Sequence, residues 1–260
     1  MSDFKYIRVE AGEQILTLTI QRPEVLNALN WQAHRELAQA FDAFAADPGL
    51  RVAVITGAGE RSFCTGSDLK AKSQRAYDPD ESPATGFAGL AKRFDLNKPV
   101  IAAVNGYALG GGLEIVLACD LVVAAEHATF GFPEPLVGQA ALSGGVQRLV
   151  RQIPFRQAMQ MLLTCERIGA TRALELGLIN EVVPKEALMV RARALAAQFV
   201  RAAPLAIEAT KAVALATMSG SLERCIVDHH PASVRMLLSE DGAEGPKAFA
   251  EKRAPVWRGR

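Results

Sequence analysis

Two glutamates and a pair of glycine turns are the groups in this sequence that could act together on a substrate. Glu114 comes two residues after the triplet Gly110-Gly111-Gly112, and Glu134 stands twenty residues further on, in the turn-forming run Gly131-Phe132-Pro133-Glu134-Pro135. Upstream of the triplet, residues 100–104 are apolar and rich in β-branched types, bounded by Pro99 and by Asn105-Gly106, which predicts a strand. Residues 113–118 read as a buried helix. A strand that feeds a glycine turn opening a helix leaves backbone N–H groups unpaired at the helix start, with the positive end of the helix dipole behind them. Such amides attract negative charge, and glycine lets a ligand come close because it has no Cβ. An anion-stabilising turn flanked by two carboxylates suits acid–base chemistry on a substrate that gathers negative charge. Each part also has a plainer use. The glycines could let helix and strand pack closely, Glu114 could complement the helix dipole, and Glu134 could be an exposed turn carboxylate.

The elements that must position these groups follow from periodicity. Strands are predicted at 15–20, 51–56, 100–104, 121–124 and 179–183. A helix is predicted to start at Asn27 to Asn30 and to carry Leu37, Phe41 and Phe44 at helical spacing. After the second strand, Gly57-Ala58-Gly59 and the run 62–69 lead toward another helical segment, so 51–69 and 98–114 share one plan. Residues 73–89, rich in Ser, Pro, Gly and charge, are expected to form a mobile loop, or a loop with a short helix, beside any site. A glycine-punctuated segment, 136–148, is expected to end in a helix. Further helices are predicted at 158–163, 171–176, 186–201, 204–217 and 245–253. Strand–helix units come first and helices afterwards, which is an α/β layout.

Composition excludes several classes. The chain has 260 residues, half of them hydrophobic, and a formal net charge of +1, so bulk charge suggests neither nucleic acid nor a membrane surface as partner. Cys64, Cys119, Cys165 and Cys225 are widely separated with no CxxC pair, and the start MSDFKYIRVE lacks the apolar core of a signal peptide. Both features lead to the expectation of a reduced, cytoplasmic protein. Gly57-Ala58-Gly59 follows a strand, but Ser62 stands where a dinucleotide fingerprint needs its third glycine. No P-loop and no GxSxG elbow is present, and Ser143 before Gly144-Gly145 reads as a turn residue. His34, His127, His229 and His230 have no metal-ligand spacing and read as surface or satisfied histidines.

Taken together, the string KPVIAAVNGYALGGGLE (98–114), with Pro133-Glu134 and Ser143-Gly144-Gly145 after it, resembles the crotonase (enoyl-CoA hydratase/isomerase) superfamily. The resemblance extends to Arg22-Pro23 with Asn27-Ala28-Leu29, to VAVITGAGERSFCTGSDL (52–69), to Leu163-Thr164 with Arg167-Ile168, and to Ala173 through Gly177-Leu178. The final segment EGPKAFAEKRAPVWRGR is especially similar to carnitinyl-CoA dehydratases and related enoyl-CoA hydratases.

The resemblance implies an α/β fold of the ClpP/crotonase type. Its spiral of ββα units would occupy residues 1–200, with a C-terminal helical region, 201–260, serving oligomerisation and pocket closure. A homotrimer, or a hexamer built as a dimer of trimers, is implied. It also implies reversible hydration of a 2-enoyl-CoA. Ser67 and Gly111 would supply the backbone N–H groups of an oxyanion hole; Glu114 would act mainly as base, and Glu134 would deliver or remove the α-proton. Mutual repulsion should raise both carboxylate pKa values. The CoA moiety would lie against Ala28, Ser67, Asp68, Leu69, Lys70 and Gly111, and against Lys252, which often comes from an adjacent subunit; a solvated helix charge is the other reading of Lys252. Residues 73–89 and the helix around Phe249 would border the acyl pocket. No metal and no resident cofactor is implied, because coenzyme A arrives as part of the substrate. Carnitinyl-CoA dehydration, double-bond isomerisation and acyl-CoA binding without turnover are the alternatives. One departure from the family pattern is Gly138-Gln139-Ala140-Ala141-Leu142, where relatives have a Gly-x-x-Pro-like turn, so the pocket wall near Glu134 is particular to this chain.

Overall fold

A computed structural model describes residues 4–74 and 83–260. The chain opens with a hairpin, β1 (Ile7–Gly12) and β2 (Ile15–Ile20), paired antiparallel around Glu13-Gln14. Both turn residues have positive φ (53° and 64°), the backbone twist that a tight hairpin needs, although neither is glycine or asparagine. Helix α1 (Trp31–Ala46) follows, and the Asn30 side chain accepts from the Ala33 amide at 2.9 Å. The predicted helix start at 27–30 is therefore displaced. Leu26 and Asn27 take left-handed conformations, and the helix begins after Asn30. Ala33, Leu37, Phe41 and Phe44 on its inner face are fully buried.

Two ββα units come next. In the first, β3 (Val52–Gly57) and β4 (Ser62–Cys64) lead into the short helix α2 (Leu69–Ser73). In the second, β5 (Val100–Val104) and β6 (Tyr107–Leu109) lead into α3 (Gly111–Ala118). A third turn of the spiral runs through β7 (Leu121–Ala125) and β8 (Thr129–Gly131) to a 3-10 turn at Glu134–Val137 and helix α4 (Gly145–Gln152). Then come α5 (Phe155–Thr164), β9 (Ile168–Gly169), α6 (Ala170–Glu175), β10 (Glu181–Val183) and α7 (Leu188–Val200). The C-terminal helices are α8 (Pro204–Thr217), α9 (Leu222–Val227), α10 (Pro231–Leu237) and α11 (Glu240–Ala250).

The strands form two sheets. The larger runs β1-β2-β3-β5-β7-β10, parallel from β2 onward; the smaller runs β4-β6-β8-β9, parallel from β4 to β8. Strands β2, β3 and β5 are buried along their whole length, as expected of a parallel sheet covered on both faces. One face packs Leu18, Ile20, Phe41, Phe44, Phe63 and Phe130 into the main core, and α7 covers the other through Leu188, Ala192 and Ala196. Between the strands expected at 51–56 and 100–104 and the helices that follow them, the short strands β4 and β6 branch off into the second sheet. Other boundaries shift modestly. The strand predicted at 179–183 spans Glu181–Val183, and the helix predicted at 245–253 begins at Glu240, where Ser239 caps the Gly242 amide. Residues 75–82 of the predicted loop lie outside the described residues. Among the described residues no helix is long and apolar enough to cross a membrane.

Candidate active site

The small sheet positions the chemistry. Its neighbouring parallel strands β4, β6 and β8 end side by side, and their C-terminal ends run into Thr65-Gly66-Ser67, Gly110-Gly111 and Phe132-Pro133-Glu134. Ligands of α/β sheets bind outside the carboxyl ends of parallel strands for this reason: the turns there converge and their amides point outward. Glu114 joins the group from the first turn of α3.

Hydrogen bonding identifies which amides are available. Leu29 bridges the 66–68 segment, its amide donating to the Gly66 carbonyl at 2.7 Å and its carbonyl accepting from the Asp68 amide at 2.9 Å. Alternation along an extended backbone turns the Ser67 N–H to the other side, where it has no partner among the described residues. Within α3 the first helical bond is from the Glu114 amide to the Gly110 carbonyl, at 3.1 Å, so the Gly111 amide is one of the unpaired donors of the helix start. The two turns touch. A Cβ built on Gly66, whose φ is +90°, would stand 2.9 Å from the Gly111 nitrogen, and one on Gly112 would run into the Cys64 carbonyl at 1.9 Å. Glycine at these positions lets the amide-bearing turns approach.

Both glutamates are in place beside them. Glu114 is 3% exposed, and its Oε1 accepts from the Gly145 amide at 3.0 Å, at the N-terminus of α4. Burial raises its pKa, opposed by the Gly145 and Ser143 amides and by the Arg148 charge. The Glu134 carboxylate lies against Gly110, where a Cβ would come within 3.1 Å of Oε1. Its Oε2 is buried and has no hydrogen-bond partner among the described residues. Burial, and to a smaller degree the charge of Glu114, lifts the Glu134 pKa from 4.5 to about 7, although its own amide pulls the other way. Burial is thus the main cause of both shifts; the expected mutual repulsion contributes at Glu134 only, and least among its causes.

The residues implicated in CoA binding divide into two groups. Ala28, Ser67, Asp68, Leu69 and Lys70 are adjacent through the Leu29–Ser67 bridge, with Leu69 and Lys70 exposed at the start of α2. Two of them also have internal duties. The Ala28 carbonyl accepts from the buried Arg22 guanidinium, which also pairs with Asp68 at 3.0 Å. The Asp68 carboxylate additionally caps α2 through the Ala71 amide at 3.1 Å. Burial pushes its pKa upward, but the Ala71 amide and Arg22 outweigh that and hold it low. Lys252 stands apart. It follows α11 with φ +53° and is exposed, as is Phe249. The tail beyond it folds back: Trp257 donates to the Arg201 carbonyl, and Arg51, at the N-terminal edge of the large sheet, donates to the Trp257 carbonyl. Among the described residues no hydrogen bond or ion pair links 249–252 to the turns at 66–70, 110–111 or 134.

Several residues at the site escaped sequence reasoning. Arg22, named in the sequence only as part of the Arg22-Pro23 pair that the family shares, braces the Ser67 turn through the Ala28 carbonyl and Asp68. Phe87 covers Gly111: a Cβ there would be 2.3 Å from the tip of its ring. Gln139, in the stretch that departs from the family pattern, accepts from Lys72 of α2 at 3.0 Å while its amide donates to the Glu134 carbonyl. No short motif marks Phe87 or the contacts of Gln139.

Comparison with known proteins agrees with this geometry. The sequence model described as Enoyl-CoA hydratase/isomerase matches residues 10–260. The chain is 48% identical over 254 residues to a carnitinyl-CoA dehydratase of Salmonella typhi and 45% identical over 253 residues to one of Proteus mirabilis, each alignment covering 95% of both chains. Among solved structures, enoyl-CoA hydratase from Mycobacterium tuberculosis H37Rv superposes with a TM-score of 0.91 at 40% identity, covering 98% of this chain and 99% of that one. The two-sheet spiral is thus the crotonase fold, and the chain belongs to the enoyl-CoA hydratase/isomerase family.

Proposed function

We propose that this protein adds water reversibly to the double bond of a 2-enoyl-CoA, or removes it from the 3-hydroxyacyl-CoA. The observation that carries the reading is the convergence of two unpartnered amides, Ser67 and Gly111, with two carboxylates, Glu114 buried and Glu134 half-buried. The thioester oxygen would accept from both amides. Water attacks the β-carbon as Glu114 takes its proton, electron density moves through the former double bond onto the thioester oxygen, and the enolate is held by the amides. Glu134, with its pKa near 7, supplies the proton to the α-carbon as the enolate collapses, and dehydration runs through the same steps in reverse. One oxyanion donor is typically worth about 2.7–4 kcal/mol of transition-state stabilisation. The proton gained by Glu114 then passes, directly or through solvent, to Glu134, which restores both carboxyl groups and leaves water as the only reactant consumed.

In this reading the CoA moiety lies along Ala28 and Ser67 to Lys70, and Lys252 reaches it from a neighbouring copy in a trimer or a dimer of trimers. Residues 201–260 form the association region; the exposed apolar side chains Leu222, Ile226, Val227, Leu237 and Leu238 of its helices support that part. A cytoplasmic setting is in keeping with the four free cysteines. A second reading, carnitinyl-CoA dehydration, is favoured by the identity of 45–48% to relatives of that name. Loss of enoyl absorbance with crotonyl-CoA and with crotonobetainyl-CoA, wild type against Glu134→Gln, tests both. Turnover that collapses in the variant supports the two-glutamate mechanism, and the ratio of the two rates chooses the acyl group. Full activity in Glu134→Gln would sink the mechanism.

A further inference from the structure

The buried histidine of α1 belongs to no step of this chemistry, yet it touches the apparatus through one intermediary. His34 Nδ1 accepts from the Ala88 amide at 3.1 Å, and its ring meets Phe87 edge-on, 4.4 Å between centroids at 70°. Burial lowers its pKa to about 4, so near neutrality the ring is uncharged and Nδ1 keeps the lone pair it needs as acceptor. The turn it holds is unusual. Gly86, Ala88 and Gly89 all have positive φ (80°, 54° and 67°), and Ala88 carries a Cβ in that conformation. Gly89 is pressed on α1 so closely that a Cβ would stand 2.3 Å from the Ala38 Cα. Phe87 projects from this turn onto Gly111, whose amide is one of the two proposed oxyanion donors.

We propose that His34 is a positioning residue: by fixing the Ala88 amide it seats Phe87 on Gly111 and so sets the aim of the Gly111 N–H at the thioester oxygen. The proposal rests on the hydration reading above and adds a contribution from α1, remote from the strand ends. An apolar side chain of similar volume would fill the same space but would accept no hydrogen bond. The neutral acceptor, rather than bulk, is therefore what the site takes from His34.

The test uses full-length His34→Leu, which removes the acceptor, His34→Asn, which restores one near Nδ1, Phe87→Leu, and the His34→Leu/Phe87→Leu double variant. Two readouts are taken: kcat and KM with crotonyl-CoA, and the red shift of bound hexa-2,4-dienoyl-CoA, whose chromophore responds to polarisation of its carbonyl. His34→Leu should lose about tenfold or more in kcat, the scale of a displaced catalytic group, with KM changed by less than about twofold and a reduced red shift. His34→Asn should recover most of both. Phe87→Leu should resemble His34→Leu, and the double variant should be no worse than either single by more than about twofold, because both changes act through one contact. Wild-type kcat and red shift in His34→Leu, or losses that multiply in the double variant, would overturn the role. If His34→Leu does not fold, Phe87→Leu decides: a tenfold loss beside an active His34→Asn supports the role, and a wild-type rate overturns it. Wild-type protein that neither turns over nor shifts the dienoyl chromophore would instead overturn the hydration reading beneath it.

Discussion

Replacing Glu134 with glutamine should stabilise the folded protein at neutral pH while removing its activity. The carboxylate sits against Gly110 with one oxygen buried and unpartnered, and its pKa rises from 4.5 to about 7. The sign follows from proton linkage. Between pH 4.5 and 7 the unfolded chain has released this proton while the folded chain still holds it, so stability is present below pH 4.5 and is lost as pH rises toward 7. At about 1.4 kcal/mol for each pH unit, the interval corresponds to about 3 kcal/mol, reduced to about 2 kcal/mol because the side chain is partly exposed and solvent screens it. Glutamine has no proton to lose. Urea unfolding of wild type and Glu134→Gln at one protein concentration, at pH 4.5, 6 and 7.5, should therefore show the variant gaining about 2 kcal/mol relative to wild type across the series. Comparing the two proteins at each pH cancels contributions from subunit association. A difference that stays flat with pH, or that moves against the variant, would refute the burial argument. It would also remove the reason for holding Glu134 near half protonation in the proposed reaction.

Three further outcomes follow from the same structure. Gly112→Ala places a Cβ 1.9 Å from the Cys64 carbonyl, a backbone clash that cannot be relieved by a rotamer, so it should cost at least the 1–3 kcal/mol typical of overpacking, read as a lower urea midpoint or loss of folded protein. Asp68→Ala removes the cap of α2 and strands the buried Arg22 guanidinium, for a loss of about 3–5 kcal/mol, whereas Asp68→Asn keeps a capping oxygen and should lose less; matched urea melts distinguish them. His34 should give a pH trend opposite to that of Glu134. The unfolded chain takes up its proton near pH 6.5 and the folded chain only near 4, so stability present above pH 6.5 falls by about 3 kcal/mol toward pH 4; His34→Asn should flatten that slope in the same melts.

The large sheet was legible because its strands are long and apolar: 15–20, 100–104 and 121–124 agree with the observed strands to within one residue. The small sheet was not legible from periodicity. β4, β6 and β8 have three residues each, too few for an alternating pattern, and the ββα plan came only from the family resemblance. The β1–β2 hairpin was missed because Glu13 and Gln14 take a conformation normally signalled by glycine or asparagine. At the site, Glu114, Glu134 and the glycine turns announce themselves by type and spacing. Arg22, Phe87 and His34 do not, because their importance lies in contacts across 46, 24 and 54 positions of sequence, with Asp68, Gly111 and Ala88 respectively. Asp68, implied by the resemblance in CoA binding, has a second duty that its sequence position does not announce, since its carboxylate is held between Arg22 and the Ala71 amide.

Cys64 offers a clock for motions of the amide-bearing turn. It is the last residue of β4, directly before Thr65-Gly66-Ser67, its side chain is fully buried, and burial pushes its thiol up to about 12. An alkylating reagent needs both access and thiolate, so in the closed structure Cys64 should be inert. Labelling it, resolved from Cys119, Cys165 and Cys225 by peptide mass, would count the moments when the end of β4 lifts away from α3. An acyl-CoA seated on the neighbouring amides should lengthen the interval between those openings, and the strand would thus report occupancy without any turnover.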